Sequence, residues 1–572
     1  MKTPKTNHLS TPYEEKMNKD LPWGEYPRPS FVRDSYLSLN GYWDISIVKK
    51  DLTPDYTEKI LVPFPPESKL SELSREIKRD EVIYYKRSFG IPDELSKKRI
   101  ILHFGAVDNF CEVWINGSYC GKHIGGYLPF SFDITEHSAG GDNVIEVRCV
   151  DTLDTDYPYG KQKRKRGGMW YTPVSGIWQS VWLEGVPESY VKKLSIKTDM
   201  KKAYIKSYGG DTKKKITLAT GEVFEWEGDY AEIEPSEINL WSPESPYLYE
   251  FDFECGEDRA RSYFALREIS ACEVDGIQRL TLNGKPYLFN GLLDQGYYPD
   301  GIYLPATSEG YADDIRLTKA LGFNTLRKHI KIEPDVFYYL CDRLGVAVFQ
   351  DMVNNSSYSF FLDTVLPTIG LQSLPDNLRH RKKASREIFR EHSLAIVDHL
   401  YSHPSVLYYT VFNEGWGQFS ADENYELIKR ADPTRIVDAT SGWFKRKKSD
   451  VNSRHVYFKP VKIKELSDRP IVISEFGGYS YRVEGHLFGK DNYGYKLYES
   501  EEKFEDDFIK LYSQELHPLI KKGVSGLIYT QVSDVEDETN GVVTYDRRHI
   551  KLSAERVRPI MEALYSELSD IT

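Results

Sequence analysis

The sequence predicts two β-sandwich domains followed by a (β/α)8 barrel, and three observations support this fold class. First, 572 residues suffice for about three to five domains, each with a core of its own. Second, the first half consists of short alternating runs separated by Gly, Asn, Asp and Pro, which is typical of antiparallel strands. Third, after about residue 269 apolar runs alternate with amphipathic stretches, which indicates a parallel sheet covered by helices.

The first half of the chain divides into two predicted sandwiches. In residues 1–185 the runs VIYYKRSF, RIILHFG, CEVWING and NVIEVRCV have the length and spacing of sandwich strands. Within them, Asn116 and Gly117 supply the positive φ that a tight hairpin turn needs. Shorter strands follow in residues 186–268, and we expect them to form a second, smaller sandwich.

The last part of the chain, residues 269–572, contains eight predicted strand-plus-helix units, the number and size expected of a (β/α)8 barrel. The clearest helix is REIFREHSLAIVDHLYSHP, which repeats at four-residue steps and ends before Pro404. The predicted strands are YLFNGLL, TLRKHI, VAVFQDM, VLYYTVFNE, IVDATSG, RHVYF, PIVISEFGG and GLIYTQV. An open doubly wound sheet is the alternative, although no Gly-rich phosphate loop follows any of these runs.

The overall composition argues against several classes of function. The 87 acidic and 75 basic residues give a formal charge of −12, which would repel the phosphate backbone of a nucleic acid. No apolar run approaches the ~20 residues of a membrane span. The N-terminal residues lack the apolar core of a secretory signal, so a cytoplasmic location is expected. The six cysteines include no CxxC pair, which predicts buried reduced thiols rather than a zinc site or disulfides.

Two glutamates end strongly apolar predicted strands. Glu414 ends VLYYTVFNE and Glu475 ends PIVISE, so both are expected at the carboxyl-terminal mouth of the barrel, where this fold carries its catalytic residues. Partial desolvation there would raise a carboxyl pKa and let the group hold a proton near neutral pH. Such a pair suits glycoside cleavage, in which one carboxyl protonates the leaving oxygen and the other attacks the anomeric carbon. The structural alternative is that each glutamate caps a helix or binds a basic neighbour.

The segments around these glutamates, HPSVLYYTVFNEGWGQF and RPIVISEFGG, resemble the acid/base and nucleophile segments of glycoside hydrolase family 2, the β-galactosidase and β-glucuronidase family. The resemblance covers most of the chain, through NGYWDISI, ILHFGAVDNFCEVWINGSYCGKHIGGYLPFSFDIT and SGIWQSVWLE and then LNGKPYLFNGLLDQ and ALGFNTLRKHIKIEPDVFYYLCDRLGVAVFQD. It implies a sugar-binding-type jelly roll in residues 1–185, an immunoglobulin-like sandwich in residues 186–268 and a catalytic barrel in residues 269–572.

The resemblance also implies a role for each matched residue. Glu414 would be the general acid/base and Glu475 the nucleophile of a mechanism that retains configuration, and no cofactor would be needed. The other matched residues are Asn413 at the sugar 2-hydroxyl, Arg327 and Tyr457 beside the nucleophile, and His329 in the pocket. Trp416 and Trp443 follow the ends of strands four and five, where an indole can stack on the apolar face of a sugar. Asp294 and Tyr529 are expected in the pocket at positions where the well-known members carry other residues. Structural roles are the alternatives, namely an ion pair inside the barrel for the arginine and core packing for the histidine and the aromatic residues.

The sequence departs from the well-known family members where they determine specificity. An Arg-His-Glu after the first barrel strand of β-galactosidases is replaced by Leu293-Asp294-Gln295, and the magnesium-ligand segment at residues 350–355 lacks the matching Glu and His. The β-glucuronidases bind the uronate with an Asn-Lys-Lys-Gly loop, where this chain has Glu538-Thr539-Asn540-Gly541 without the cation. We therefore expect no metal and a neutral terminal sugar, galactose first, then arabinopyranose, xylose or glucose.

Two further clusters and three other functions stay open. The basic run KQKRKR, residues 161–166, has the composition of an anion-binding patch, but in the family the segment that follows it is a jelly-roll loop near the barrel mouth. His399 and His403 have metal-ligand spacing on a helix, but no third ligand is evident. The other functions are a β-glucuronidase, a carbohydrate-binding protein without activity, and a metal-dependent hydrolase with Asp351, Glu414 or Glu475 as ligands. The expected partner is a carbohydrate substrate, and a homo-oligomer is also open.

Overall fold

A computed structural model of the protein describes residues 8–368, 371, 376, 380–463 and 466–571. Its first domain is an antiparallel sandwich in which a six-stranded and a four-stranded sheet share one core. The six-stranded sheet consists, in spatial order, of Glu58–Val62, Gly41–Lys49, Glu81–Gly90, Asp142–Val150, Phe110–Ile115 and Ser118–Ile124. The four-stranded sheet consists of Tyr36–Ser38, Val181–Val186, Arg99–Phe104 and Phe130–Asp133, and a two-stranded sheet pairs Val107–Asp108 with Gly176–Ile177.

The core of the first sandwich follows from the alternation along its strands. In Phe110–Ile115 every second residue is buried, as the two-residue period of a strand with one covered face requires. The buried rings of Trp43 and Tyr85 meet edge to face with their centroids 6.4 Å apart. At the predicted hairpin, Asn116 and Gly117 have φ values of 51° and 77°, and both therefore adopt the left-handed conformation of a type I′ turn.

A smaller sandwich follows the first. It consists of a three-stranded sheet, Val191–Thr198, Ala203–Gly209 and Tyr230–Ile233, and a four-stranded sheet, Val223–Glu227, Lys213–Leu218, Tyr249–Cys255 and Asp258–Phe264. Arg33 joins the two sandwiches, because its guanidinium lies 2.9 Å from Glu184 of the first and 2.8 Å from Asp258 of the second. All three side chains are buried, so each charge depends on the others for compensation.

The barrel is a sheet of eight parallel strands, β1 to β8. The strands are β1 Phe289–Asp294, β2 Thr325–Lys328, β3 Ala347–Asp351, β4 Val406–Asn413, β5 Ile436–Ser441, β6 Asn452–Val456, β7 Ile471–Gly477 and β8 Val524–Thr530. Their spatial order is β5-β4-β3-β2-β1-β8-β7-β6, and the barrel closes where β5 and β6 come into contact. A three-stranded antiparallel sheet precedes the barrel, with strands Ile269–Val274, Ile277–Leu282 and Lys285–Pro286.

Helices cover the outside of the barrel. The long ones are α1 Glu309–Ala320, α2 Asp335–Leu344, α3 Lys383–Leu400, α4 Ala421–Ala431, α5 Glu501–Lys510 and α6 Ala554–Ile571. Shorter helical turns of the barrel are Phe361–Val365, Leu366–Thr368, Leu511–Leu516 and His517–Ile520. Two more, Glu14–Lys16 and Asp93–Ser96, lie in the part of the chain before the barrel. No helix within the described ranges combines the length and the apolar composition that a membrane span requires.

The eight predicted strand-plus-helix units are not all complete. In the part of the chain that the structure describes, no helix lies between β5 and β6 or between β6 and β7. The first of these connections comprises only residues 442–451, which is shorter than the dozen or more residues that a helical crossover usually takes. The eight strands were therefore predicted correctly, whereas the helices of the fifth and sixth units were not found.

The barrel strands are buried on both faces, so neighbouring residues belong to different cores. Leu293, Phe349 and Ile528 point into the barrel and pack with the preceding antiparallel sheet. Leu292 and Leu527 point outward and pack beneath the helices. Because successive side chains alternate between the two faces, only one residue in two near the end of a strand faces the cleft at the mouth of the barrel.

Candidate active site

Glu414 and Glu475 face each other across one cleft. Glu475 lies on β7, and Glu414 directly follows β4. One carboxylate oxygen from each glutamate and the Nδ1 of His455 all lie within 4.8 Å of one another. The imidazole lies between the carboxylates, with Nδ1 2.8 Å from Glu414 Oε1 and 3.4 Å from Glu475 Oε2. The two carboxylates that the sequence predicted at the barrel mouth therefore share one site.

The backbone at Glu414 turns sharply at the end of β4. Glu414 has a φ of 53° and the following Gly415 a φ of 75°, so a non-glycine residue occupies the left-handed region at a cost of about 1–2 kcal/mol. The Glu414 N–H donates to the Ser441 carbonyl at 2.9 Å, which holds the turn against β5. The Glu414 side chain remains 22% exposed, against 7% for Glu475, so solvent reaches one carboxylate more readily than the other.

Glu475 is buried and held as an anion. Arg327 donates to its Oε1 at 3.2 Å, and the Tyr457 hydroxyl donates to its Oε2 at 2.7 Å. Burial raises the pKa of Glu475, but the attraction of His455 and Arg327 and the hydrogen bond from Tyr457 outweigh burial, so the pKa lies below its ordinary value. At neutral pH this carboxylate is ionised.

The Arg327 guanidinium connects the ends of four strands. It donates to both oxygens of Asp351 at 3.0 and 3.1 Å, to Asn413 Oδ1 at 2.8 Å, and to the Ser474 carbonyl at 2.8 Å, in addition to Glu475. Its side chain is only 1% exposed. A buried cation needs this complete set of acceptors, because removal from water otherwise costs several kcal/mol.

His329 joins the same network through Asp351. Its Nδ1 lies 2.8 Å from Asp351 Oδ2, and because a carboxylate only accepts, Nδ1 carries the hydrogen. Burial lowers the pKa of His329 even though Asp351 opposes that effect, so the ring is neutral near neutral pH. Burial raises the pKa of Asp351, but Arg327 and His329 outweigh it and keep this carboxylate ionised.

Aromatic residues form one side of the cleft. The Tyr457 hydroxyl also lies 2.8 Å from Thr530 Oγ1, and its ring stacks on Tyr495 with centroids 4.0 Å apart and planes at 12°. Trp443 packs edge to face against His455 at 5.6 Å and is partly exposed. A partly exposed indole at this position can stack on the apolar face of a sugar.

Trp416 has a different environment from Trp443. It is only 4% exposed, and its ring packs edge to face against Trp170 of the first sandwich with centroids 5.0 Å apart. Its indole nitrogen donates to the Ser356 carbonyl at 3.3 Å. The contacts of Trp416 are those of a residue that joins the barrel mouth to the first sandwich.

The structure does not bring Asp294 and Tyr529 to the carboxylates. Asp294 is 2.6 Å from Lys328 Nζ, and that ammonium lies over the Phe337 ring of α2. Tyr529 is fully buried, and its ring packs edge to face on Phe508 of α5 at 4.9 Å. Both side chains occupy outward-facing positions of their strands and pack beneath the helices. The expectation that Asp294 and Tyr529 contact the sugar is therefore corrected.

Sequence reasoning did not identify three residues of the site, His455, Thr530 and Tyr495, whereas it had already singled out Glu538 as part of the segment that replaces the uronate-binding loop. His455 had a usable signal, because it lies two residues before Tyr457 and therefore on the same face of the chain. Thr530 had no such signal, because the sequence placed the neighbouring Tyr529 in the pocket instead. Tyr495 lies in an irregular connection, where no periodic pattern indicates the direction of a side chain.

The donor atoms of Glu414, His455 and Glu475 could in principle hold a metal ion, since two carboxylates and an imidazole suit several divalent cations. Both oxygens of Glu475 already accept hydrogen bonds, one from Arg327 and one from Tyr457. A buried guanidinium 3.2 Å from a proposed ligand oxygen also repels a divalent cation. The arrangement favours an ionised carboxylate in a hydrogen-bond network over a metal ligand.

His399 and His403 each have a carboxylate partner of their own. His403 Nδ1 lies 2.7 Å from Asp342, and His399 Nε2 lies 3.0 Å from Asp335. Both aspartates belong to α2, so the histidines bind the end of α3 to the neighbouring helix. Their spacing reflects helix packing within this part of the barrel.

The fold and the site together define a multidomain barrel protein with a paired-carboxylate cleft. The sequence matches two models of one family: "Glycosyl hydrolases family 2, sugar binding domain" over residues 74–187 and "Glycosyl hydrolases family 2, TIM barrel domain" over residues 273–557. The chain belongs to glycosyl hydrolase family 2. The predicted family and the predicted fold class of β-sandwiches and a barrel are confirmed.

Curated relatives of the chain include proteins named β-galactosidase. The protein of that name from Lactococcus lactis is 27% identical over 70% of this chain and 39% of the relative. The one from Halalkalibacterium halodurans is 23% identical over 81% of this chain and 47% of the relative. The chain therefore spans less than half the length of these relatives.

Solved structures match the whole fold. A β-D-glucuronidase of Dictyoglomus thermophilum superposes with a TM-score of 0.72 at 20% identity, covering 94% of this chain and 98% of the other. A β-galacturonidase of Eisenbergiella tayi bound to galacturonate has a TM-score of 0.67 at 20% identity, covering 94% and 99%. At this identity the likeness establishes the fold alone.

Replacing Arg327 with Met tests whether the guanidinium holds the site together. The change leaves Asp351 and Glu475 buried without their cation, and we expect the free energy of unfolding at pH 7 to fall by about 3–5 kcal/mol. Both carboxylates have lowered pKa values, so their contribution in the wild type is present at pH 7 and is lost as the pH falls through those values. Urea unfolding measures the difference.

The matched control is Arg261→Met, because this arginine is 61% exposed and its partner Asp34 is 91% exposed. We expect the control to unfold at the urea concentration of the wild type. A stability of Arg327→Met within 1 kcal/mol of the wild type would contradict the role assigned to the guanidinium.

Proposed function

We propose that the protein is a glycoside hydrolase that removes a terminal neutral sugar in β-linkage with retention of configuration. The observation that carries the proposal is the pair of facing carboxylates, whose nearest oxygens lie within 4.8 Å. Retaining glycosidases have carboxyls about 5–5.5 Å apart, whereas inverting enzymes separate them by about 6.5–9.5 Å to admit a water molecule. The short separation supports direct attack by one carboxylate.

The surroundings of the two glutamates support different roles. Glu475 is ionised, buried and oriented by Arg327 and Tyr457, which suits the nucleophile. Glu414 is the more exposed carboxyl and hydrogen-bonds His455 rather than an arginine, which suits a group that exchanges a proton with substrate and water. The assignment agrees with the roles that the family resemblance implies.

The proposed reaction has two steps. In the first, a Glu475 oxygen attacks the anomeric carbon, the glycosidic bond breaks, and Glu414 gives its proton to the departing oxygen. In the second, Glu414 takes a proton from water, the water oxygen attacks the anomeric carbon, and Glu475 leaves as a carboxylate. The first step leaves Glu414 ionised and able to take a proton from water, and the second step restores a protonated Glu414 and a free Glu475 carboxylate.

Asn413 is suited to bind the sugar beside the nucleophile. Its Oδ1 accepts a hydrogen bond from Arg327 at 2.8 Å, which orients the amide and directs its NH2 group away from the guanidinium. Among the described residues, no acceptor is bonded to that NH2 group, so it is available to a sugar hydroxyl. Such a bond strengthens as charge develops at the anomeric carbon.

Charge supports a neutral sugar over a uronate. The cleft already contains the ionised Glu475, and the buried Glu538 occupies the loop after β8 where β-glucuronidases have a cation. A substrate carboxylate near these groups would be repelled. The sequence relatives named β-galactosidase favour galactose as the first sugar to test, followed by arabinopyranose, xylose and glucose. Uronides belong in the same panel because glucuronidases share the fold.

Glu475→Gln tests the nucleophile. The amide cannot form the glycosyl ester, so we expect kcat on 4-nitrophenyl β-galactoside, or on the best neutral glycoside of the panel, to fall by more than about 10⁴-fold. Unfolding in urea should stay cooperative. Glu502→Gln, an exposed position on α5, is the control and should keep wild-type kcat. Retention of more than a hundredth of the wild-type rate by Glu475→Gln would rule out the assignment.

Glu414→Gln tests the acid/base role by comparing leaving groups. A 2,4-dinitrophenolate departs without protonation, whereas an alkyl or phenyl oxygen needs the proton. We expect the variant to lose about 10²–10⁴-fold in the first step with phenyl glycosides and much less with dinitrophenyl glycosides. Equal losses with both leaving groups would show that Glu414 does not protonate the departing oxygen.

Tyr457→Phe tests how the nucleophile is kept ionised. Removing a hydrogen bond to the carboxylate raises the pKa of Glu475, so the acidic limb of the pH profile of kcat/KM should move to higher pH by about one unit. Activity on the alkaline side should change less. Tyr495→Phe removes a neighbouring hydroxyl that is not bonded to Glu475, and it should leave the acidic limb in place. A shift of equal size in both variants, or in neither, would contradict the proposal.

A further inference from the structure

A loop of the first sandwich, residues 159–162, lies against the mouth of the barrel. The Tyr159 N–H donates to the Asn354 carbonyl at 3.2 Å, and its hydroxyl donates to the Ser356 carbonyl at 2.9 Å. Gly160 has a φ of 62°, and a Cβ at this position would lie 3.0 Å from the Ile330 carbonyl. The loop thus touches the connections after both β2 and β3, and Ile330 directly follows His329 of the site.

The residues around Lys161 fix its backbone. Gln162 is 1% exposed, and its amide bonds Asp108 and Tyr127 at 3.1 Å each and the Val174 N–H at 2.7 Å. The Lys161 carbonyl accepts from the Tyr171 N–H at 3.0 Å. With Gly160 pressed against the barrel on one side and Gln162 buried on the other, the direction of the Lys161 side chain is constrained.

Lys161 differs from the other cations of the basic run, because Lys165 is exposed to solvent and the remaining three have partners. Arg164 donates to the Ile77 carbonyl, Arg166 pairs with Glu76 at 3.0 Å, and Lys163 lies 4.7 Å from the centre of the Trp170 ring. The Lys161 ammonium makes no hydrogen bond or ion pair with any residue that the structure describes. It is partly buried, so this ammonium gives up some hydration without a protein partner in return.

The charge of Lys161 acts on two groups of the cleft. Burial raises the pKa of Glu538, and Lys161 is the strongest influence opposing that rise. Burial lowers the pKa of His329, and Lys161 adds to that decrease. Tyr171 gives independent geometric evidence, since its N–H binds the Lys161 carbonyl while its hydroxyl donates to Glu538. Together with the contact of Gly160 with Ile330, these relations indicate that the ammonium is directed toward His329 and Glu538.

Glu538 begins a chain of polar groups that continues around the cleft. Asn540 donates to Glu538 Oε1 at 3.1 Å, Gln531 donates to Asn540 at 2.8 Å, and Gln295 donates to Gln531 at 2.8 Å. Gln295 is 4% exposed, and its carbonyl oxygen has no hydrogen-bond partner among the described residues. A buried acceptor without a donor is costly, and a bound hydroxyl group would satisfy it.

We infer that Lys161 binds the substrate sugar and that, with Glu538, it forms a donor–acceptor pair for sugar hydroxyl groups. The inference rests on the proposed function and names its specificity residue. The ammonium donates to a hydroxyl oxygen, and the carboxylate accepts the hydrogen of the same or an adjacent hydroxyl. Because the two charges balance, the pair favours a neutral sugar with free hydroxyls. The barrel supplies the chemistry, and the jelly-roll loop supplies the cation that selects the sugar.

Lys161→Met tests the inference, with Lys165→Met as its matched control. Methionine keeps the length of the side chain and removes the charge, and Lys165 is an exposed lysine of the same run. We expect kcat/KM on 4-nitrophenyl β-galactoside to fall about 10- to 100-fold in Lys161→Met, because the variant loses one hydrogen bond from a charged group to the sugar. The control should match the wild type, and the thermal unfolding midpoints of all three proteins should agree.

Two outcomes on substrates would overturn the inference. A kcat/KM for Lys161→Met within threefold of Lys165→Met would show that the ammonium does not bind the sugar. Loss of activity on β-glucuronide or β-galacturonide, with activity on the neutral glycoside unchanged, would show that the partner of Lys161 is a carboxylate.

Calorimetry separates this inference from the proposed function. If the wild type hydrolyses no glycoside of the panel, the proposed function fails, and binding of free galactose then decides the role of Lys161. Galactose binding by the wild type that weakens at least tenfold in Lys161→Met would support the inference. Equal binding by both proteins, or binding by neither, would overturn it.

Discussion

The buried guanidinium of Arg327 is the interaction on which the geometry of the site depends. Burial opposes its charge, but Asp351 and Glu475 outweigh burial and hold its pKa above the ordinary value. One cation therefore compensates two carboxylates that come from different strands. Its acceptors have to be in place together, because an unpaired charge at this depth costs several kcal/mol. The register of β2, β3, β4 and β7 thus determines where Glu475 lies.

The hydrogen-bond network gives Glu475 and Glu414, the two catalytic candidates, different environments. Arg327 and Tyr457 bind both oxygens of Glu475, which loses its freedom of rotation and its proton. Glu414 follows a strained turn, is more exposed, and makes its hydrogen bond to His455. Double displacement requires this difference, since a nucleophile has to stay ionised and aligned while an acid/base has to gain and lose a proton. The different environments suit two chemically identical side chains to the two proposed roles.

Most of the barrel could be predicted from the sequence because its strands are long apolar runs that end in polar residues. Glu414 and Glu475 lie at such ends, and the structure brings them together with Arg327 and Tyr457. The apolar character of these strands also means that the sequence does not indicate which face each side chain occupies. A strand buried on both faces has no polar alternation, so nothing in the sequence showed that Asp294 faces the helices. Loop positions lack even this signal, and their contacts come from the tertiary fold.

The first sandwich contributes more to the cleft than its sequence indicated. Trp170 packs on Trp416 at the end of β4, and Tyr171 binds Glu538 in the loop after β8. These contacts hold one segment of the sandwich, which includes Lys161, across the barrel mouth. The proposed mechanism relies on strand ends that the core keeps rigid, whereas the proposed sugar contact lies on a loop, the kind of segment that tolerates substitution. Because the two sets of residues lie on separate elements, a substitution at Lys161 can change the sugar contact without moving the carboxylates.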